Sequence, residues 1–291
     1  MIEHNLNYTI SILIVNYKSE KFLVPCLSSI RFNRDNINYE GIIIDNGSDS
    51  DIQKLIQKFP LFKLIKNDKN FGFSFAVNQG IKSSNGKYIF LLNPDTVIGN
   101  QSITKLIAFL DENPDVGIVG VKVFDKDGKT VQLSCRSFPS FNTVLFNRYS
   151  LMTKLFPKNK WSVKYLLANW DHSYLREVDW VSGCCMVLRR EMLNQIGLLD
   201  TRFFMYNEDV DICLRAKKNQ WRVFYFPEFD VKHHIGGSSN LLKKQMIIER
   251  HRSIWRFYKK HYRRNFVLYF LIFTIILIRA LYKIIISKRF I

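Results

Sequence analysis

Carboxylates and amides recur where apolar runs stop: Asp45, Asn70, Asn93 with Asp95, and Glu208-Asp209. A histidine pair, His233-His234, follows the last such run and precedes Gly236-Gly237. Oxygen donors of this kind suit Mg²⁺ or Mn²⁺, ions commonly shared with substrate phosphates. A carboxylate can also take a proton from a hydroxyl as a general base. The most informative stretch is KYIFLLNPDTVI, residues 87–98. Its apolar run, Tyr88 to Leu92, suits a central strand covered on both faces. Pro94 has no N–H to give a ladder, so the strand should stop there. Asp95 then stands at the carboxyl end of the strand, the edge where open α/β sheets bind ligands. A carboxylate there is costly to desolvate unless a cation or donor meets it. Two readings stand. Asp95 is a turn residue, or it holds a divalent metal and, through the metal, a nucleotide-sugar diphosphate.

The elements that must position these groups alternate. Thr9 to Val15 is β-rich and ends at Asn16-Tyr17; a helical pattern follows through Ile30. Gly41 to Ile44 is a second strand, ending in a cluster of Asp, Asn and Ser that mixes turn and cap chemistry. Phe62 to Ile65 is a third. Asn70-Phe71-Gly72-Phe73 opens a helix through Ile81, and the Tyr88 strand comes next. Four alternations in about a hundred residues predict an α/β fold, a Rossmann-like, mostly parallel sheet with helices on both faces. No GxGxxG or GxxxxGK[ST] occurs, which weighs against a dinucleotide oxidoreductase or a P-loop ATPase.

Farther on, the pattern predicts a helix over 102–113 and strands over 116–124, 181–188 and 222–226, the last stopped by Pro227. Helices are predicted over 190–196 and 209–219. Residues 134–177 are aromatic and basic without a clean period, as expected of a lid or acceptor loop.

Charge divides the chain. Residues 241–291 hold 13 Lys+Arg against one acid, Glu249; residues 1–240 hold 30 Lys+Arg against 24 Asp+Glu. Most of the net +18 therefore belongs to the end of the chain. The division predicts a catalytic domain over 1–240 and a basic and apolar helical tail over 241–291. In the tail, a basic helix with Trp255, Phe257 and Tyr258 precedes the apolar run Phe266 to Ile278. That run is shorter than the ~20 residues needed to span a bilayer. An in-plane or re-entrant membrane anchor is the expectation, with a single span whose Arg279 and Lys283 snorkel to the interface, or a helix docked on the core, as the alternatives. The apolar run points to lipid rather than nucleic acid. The N-terminal residues lack the basic region and apolar length of a signal peptide. Five cysteines without zinc spacing fit a reduced, cytoplasmic compartment.

Blander readings apply to several neighbours. Asp211 and Arg215, four apart, read as a surface ion pair. Asp49 and Asp51 read as helix caps, Trp180 and Trp221 as packing, and Met205-Tyr206 as core or acceptor wall.

SILIVNYKSEKFLVPCLSSI, IIIDNGSDSD, NFGFSFAVNQGI, YIFLLNPDTVI and the long segment from VSGCCMVLRREMLNQIGLL through FFMYNEDVDICLR to KHHIGGSS together resemble glycosyltransferase family 2. These are the inverting enzymes of GT-A fold, and the likeness is to their rhamnosyltransferase-like branch, over roughly residues 8–260. The resemblance implies a nucleotide-sugar donor, a glycan or lipid-linked acceptor and a divalent metal, Mg²⁺ or Mn²⁺. It implies that Asp45 meets the nucleotide base and that Asn16, Asn70, Gly72 and Asn78 line the nucleotide pocket. Asn93 and Asp95 stand at the family's DXD motif. Asn93 replaces an aspartate, so it should touch ribose or phosphate, leaving Asp95 as metal ligand with His233, or His234 in its place. Asp209 is implied as the general base, with Glu208 the competing neighbour. A helix N-terminus would favour the Asp209 anion, while an aromatic wall would raise its pKa.

The branch favours dTDP-rhamnose; a UDP-hexose or UDP-galactofuranose is the alternative. The implied place of work is the cytoplasmic face of the cell membrane, in cell-surface polysaccharide assembly. A nucleotidyltransferase would want a Gly- and Arg/Lys-rich loop where Asn16-Tyr17-Lys18-Ser19-Glu20 stands. A non-catalytic membrane scaffold would not need both Asp95 and Asp209. A processive synthase usually carries QxxRW, and here Gln220-Trp221-Arg222 has the wrong spacing.

Overall fold

The apolar runs become strands whose successive side chains feed two separate cores. On the first strand, β1 (Tyr8–Asn16), Ile10, Ile12 and Ile14 enter one core and Leu13 the other. This is the period-two alternation of a strand covered on both faces. The computed structural model describes residues 7–145, 153, 155–156, 159–234, 243–262 and 270–280. The next strands are β2 (Tyr39–Asn46), β3 (Phe62–Asn67), β4 (Gly86–Leu92), β5 (Thr96–Ile98) and β6 (Val116–Asp125). They are followed by β7 (Cys135–Arg136), β8 (Arg176–Glu177), β9 (Trp180–Val181), β10 (Cys185–Arg189) and β11 (Arg222–His233).

The main sheet runs in the order β3-β2-β1-β4-β10-β6-β11-β5, with β8 beside β11. Its first four strands are mutually parallel, as are β6 and β11, whereas β10 lies antiparallel to both β4 and β6. The sheet is therefore mostly parallel, interrupted by the reversed strand β10, with β5 and β8 antiparallel to β11. Helices Glu20–Ser29, Ile52–Ile56 and Thr104–Glu112 cover one face. Helices Phe73–Lys82, Arg190–Ile196 and Glu208–Lys218 cover the other.

Three expectations are corrected here. The single strand expected over 181–188 is two: β9 pairs with β7 in a small second sheet, while β10 joins the main one. The residues between them, Ser182-Gly183-Cys184, turn the chain from one sheet to the other. The last strand does not stop at Pro227. A register irregularity between Phe226 and Asp230 absorbs the proline, and β11 continues to His233. A bulge lets a strand carry a residue that cannot donate to its ladder. Residues 134–177, expected to be irregular, contain β7, β8 and the helices Phe141–Leu145 and Lys160–Leu166.

Asp211 corrects the surface-pair reading. It is fully buried and holds Arg215 Nε at 2.9 Å, Lys260 Nζ at 2.7 Å and His261 Nε2 at 2.7 Å. Lys260 and His261 belong to the helix Lys243–His261, so the basic helix at the start of the expected tail is docked on the core. Phe257 and Tyr258 of that helix are buried, and the Ser253 hydroxyl donates to the Met205 carbonyl at 2.7 Å. Among the described residues no helix is long and apolar enough to cross a membrane. The Gly236-Gly237 pair and part of the 266–278 run lie outside the described residues.

Removing one partner from a buried charge cluster leaves the others uncompensated, at a cost of about 3–5 kcal/mol. Asp211→Ala should lose about that much in urea unfolding at pH 7. Burial raises the Asp211 pKa, but the His261 and Lys260 bonds outweigh it, so the folded value is lowered. Its stabilisation is therefore present above the unfolded value of about 3.9 and is lost as pH falls through the folded value. The difference between wild type and variant should shrink in acid. A variant as stable as wild type at pH 7 would mean the helix is held elsewhere.

Candidate active site

β4 ends at Leu92, and the chain turns through Asn93-Pro94-Asp95 into β5. Asp95 is 6% exposed, and its carbonyl accepts the His234 N–H at 2.9 Å. The continuation of β11 through its bulge places His233 opposite Thr96 in an antiparallel pair. The His233 ring thereby reaches Asp95, with Nε2 3.3 Å from Oδ1. His234 turns away and rests against the Phe22 ring, with centroids 5.2 Å apart.

Gln132 orients the His233 ring. Its amide nitrogen donates to Phe124 O, Asp125 Oδ1 and His233 O, which leaves Oε1 to face His233 Nδ1 at 3.1 Å. Nδ1 therefore carries a hydrogen, and Nε2 directs its second valence at the Asp95 carboxylate. With Nε2 unprotonated, an imidazole lone pair and a carboxylate oxygen converge on one region. A divalent cation satisfies both, so the pair fits a two-ligand protein site completed by substrate oxygens and water. Among the described residues no group of three or more His, Cys, Asp or Glu side chains could hold a metal. The protein's share of such a site is Asp95 and His233.

Asp209 lies on the other side of the turn between β9 and β10. The Cys184 carbonyl accepts the Asn93 N–H at 2.9 Å, and the Gly183 N–H donates to Asp209 Oδ2 at 3.0 Å. Two adjacent residues thus tie the Asp95 turn to the start of the helix Glu208–Lys218. The second Asp209 oxygen accepts the Val210 N–H at 2.8 Å. Tyr206 and Asn207 enter this helix at φ 72° and 62°. Successive non-glycine residues in the left-handed region are uncommon and mark a constrained entry.

Both carboxylates of this pair are destabilised as anions. Burial raises the Asp209 pKa, and the Gly183 and Val210 N–H bonds recover only part of the cost. Burial, then the charge of Asp209, pushes Glu208 well above the ordinary range. Glu208 is 6% exposed, and its Oε2 has no hydrogen-bond partner. Desolvation thus outweighs the helix N-terminus, deciding between the two effects expected at Asp209.

Asn93, Asp95, Glu208, Asp209 and His233 all face one cavity of about 440 Å³. That volume lies within the roughly 300–1,000 Å³ of small-molecule sites. Arg136 also lines it, stacked 5.3 Å from the Trp180 ring centroid.

The other expected nucleotide residues lie beyond this lining. Asn16 Nδ2 donates to Asp45 Oδ1 at 3.1 Å, across neighbouring ends of β1 and β2. Asp45 is fully buried, and its Oδ2 has no partner. Asn70 accepts from Asn46 and from the Gly72 N–H, both at 2.9 Å, and so shapes its loop. Gly72 stands at φ 93°, where a Cβ would come within 2.7 Å of the Phe204 carbonyl. Asn78 holds the Leu199 backbone by both amide atoms, at 2.8 and 3.1 Å, which makes it a clamp between segments.

Sequence reading missed Gln132, Gly183 and Arg136. Only the glycine inside an apparent strand carried a local signal.

Residues 11–197 match the family described as Glycosyl transferase family 2. The N-acetylglucosaminyl-diphospho-decaprenol L-rhamnosyltransferase of Mycobacterium tuberculosis is 30% identical over 228 residues, 74% of this chain and 73% of that protein. The rhamnosyltransferase WbbL of Escherichia coli is 24% identical over 77% of this chain and 82% of its own. A crystal structure of GalNAc-T7 with UDP, GalNAc and Mn²⁺ superposes with a TM-score of 0.58 over 78% of this chain, at 17% identity. This chain aligns with 43% of that protein's length, and the likeness is one of GT-A fold. The chain belongs to glycosyl transferase family 2. Asp209 and His233 lie past the matched 11–197 segment.

A group whose pKa is raised on folding stabilises the fold when protonated, and that stabilisation is lost as pH rises through the folded value. Glu208→Gln keeps the neutral shape at every pH. It should raise the melting temperature at pH 8, and the gain over wild type should vanish near pH 4. An equal or lower melting temperature at pH 8 would show that the Glu208 anion is stabilised by a partner.

Proposed function

We propose that this protein is an inverting, metal-dependent glycosyltransferase that transfers L-rhamnose from dTDP-rhamnose to a lipid-linked glycan in cell-surface polysaccharide assembly. The observation that carries the reading is the tie through Gly183 and Cys184. It sets a half-buried carboxylate, Asp209, beside the turn that carries Asp95. The two relatives named as rhamnosyltransferases support the donor, and the decaprenol-linked name of one supports the acceptor class.

In this mechanism Asp45 accepts from the nucleotide base through Oδ2, with Asn16 holding its other oxygen. Asn93 touches ribose or phosphate. Asp95 and His233 hold Mg²⁺ or Mn²⁺, which when bound supplies Lewis-acid neutralisation of the departing diphosphate. Asp209 takes the proton from an acceptor hydroxyl as its oxygen attacks the anomeric carbon and the sugar–phosphate bond breaks. One displacement inverts the centre, and no sugar becomes bound to the enzyme. The raised pKa makes Asp209 a stronger base once ionised and moves its titration toward working pH.

The membrane reading belongs to the same proposal. Helical residues 270–280 turn Ile272 and Ile276 inward and leave Phe270, Leu271, Phe273, Leu277 and Ile278 exposed. An apolar face on a strongly basic segment suits an anionic lipid surface, here the cytoplasmic face of the cell membrane.

Asp209→Asn keeps the shape and removes the basicity. With dTDP-rhamnose and a lipid-linked acceptor, kcat should fall by roughly 10²–10⁴ while donor affinity stays within a few-fold. Asp95→Ala and EDTA should each abolish turnover, and a UDP-hexose and UDP-galactofuranose should be poorer donors. Turnover of Asp209→Asn within tenfold of wild type, with Glu208→Gln dead, would move the base to Glu208.

Truncation after Tyr262 keeps the docked helix and removes the apolar face. The full chain should float with anionic vesicles and the truncated one should stay in the aqueous fraction. Equal partition of the two would rule out this face as the anchor.

A further inference from the structure

Two enclosed arginines on β10 and beside it show how this fold satisfies a guanidinium. Arg189 donates to the carbonyls of Val116, Leu110 and Asn113 at 2.8, 2.5 and 3.0 Å. Arg190 donates to the Gly86 and Ile81 carbonyls and to Ser84 Oγ at 2.6, 3.3 and 2.8 Å. Arg279, on helical residues 270–280, differs. It lines the cavity that contains Asp209, yet its buried Nε meets no hydrogen-bond partner among the described residues. Burial lowers its pKa and the like charge of Arg250 lowers it further, with Tyr165 acting weakly against them.

Arg250 stands on the same cavity wall, exposed, with its guanidinium 4.6 Å from the Tyr206 ring centroid. Its helix neighbours Arg252 and Arg256 both pair with Glu249, while Arg250 has no ion pair among the described residues. Two guanidiniums facing one cavity repel, and a partly buried charge is costly unless an anion meets it. Their planar forks match phosphate oxygens.

The position of these arginines says whose phosphate it would be. Along the cavity, Asp95 connects to Asp209 through Cys184 and Gly183, and Tyr206, just before Glu208, leads on to Arg250. Asp209, Arg250 and Arg279 line the same cavity as the Asp95–His233 pair, and Arg279 belongs to residues 270–280, where Phe270, Leu271, Phe273, Leu277 and Ile278 are exposed. We propose that Arg250 and Arg279 bind the diphosphate of a prenyl-diphosphate-linked acceptor, whose chain leaves along those apolar side chains. The assignment rests on the glycosyltransferase reading.

Farnesyl diphosphate is the probe, titrated calorimetrically into the full-length protein in mild detergent. Wild type should bind it saturably and much more tightly than inorganic diphosphate. Arg250→Gln, at an exposed position that folding tolerates, and the Arg250→Gln, Arg279→Gln pair should each weaken it, the pair by about tenfold or more. Affinity for dTDP with Mn²⁺ should stay within about twofold, since single lost contacts elsewhere cost little. Equal binding of farnesyl diphosphate by wild type and both variants overturns the proposal. So does equal affinity of wild type for inorganic diphosphate, which removes the lipid-linked acceptor. Parallel loss of dTDP assigns the arginines to the donor and overturns it as well. The measurement needs no turnover, so a protein that transfers no sugar would refute the glycosyltransferase reading while this site was still being judged.

Discussion

The Gly183 N–H and the Cys184 carbonyl point in opposite directions from one short turn, and the site depends on what they meet. One donates to Asp209, and the other accepts from Asn93. The turn exists because the chain changes sheets there, leaving the small β7–β9 pair and entering the main sheet as the reversed strand β10. A parallel strand in that place would put this turn at the opposite edge. The reversal brings the residues that begin β10 to the edge where β4 ends. It is secured from its far end, where Arg189 and Arg190 bond carbonyls contributed by neighbouring strands and helices.

Charge burial then separates what is structural from what is available for chemistry. Asp211, four residues into its helix, is fully enclosed and meets Arg215, Lys260 and His261. Its anion is favoured and its role is to hold a helix. Glu208 and Asp209, one turn earlier, have no cationic partner at bonding distance among the described residues and have raised pKa values. The same helix thus carries a satisfied carboxylate and two held in a costly state, and the costly ones face the cavity. Perturbed carboxylates facing a cavity are what functional sites tend to gather.

The docked basic helix changes how the end of the chain acts. Its charges are partly internal counter-charges: Lys260 pairs with Asp211 and with Asp200, beside the His261 contact to Asp211. The positive charge of the segment is therefore not all offered to an outside surface. Arg250 and Arg279 line the cavity, and Phe270, Leu271, Phe273, Leu277 and Ile278 are exposed.

Apart from β5 and the short helix Ile52–Ile56, the order of strands and helices through residue 125 was legible in the amino acids, because buried parallel strands are unbroken apolar runs and helices repeat with a different period. Asp45, Asp95 and Asp209 stood out for the same reason, as carboxylates where such runs end or where a helix begins. The identity of the histidine facing Asp95 was not legible, since His233 and His234 are chemically equal neighbours. It was decided by the irregularity around Pro227, which sets which ring points toward β5. The direction of β10 was equally hidden, because an apolar run reads the same in either orientation. Asp211 looked like half of a surface pair because its two other partners come from a helix about fifty residues away. Local pattern reports burial and period, whereas pairing across such separations follows from how the whole chain closes on itself.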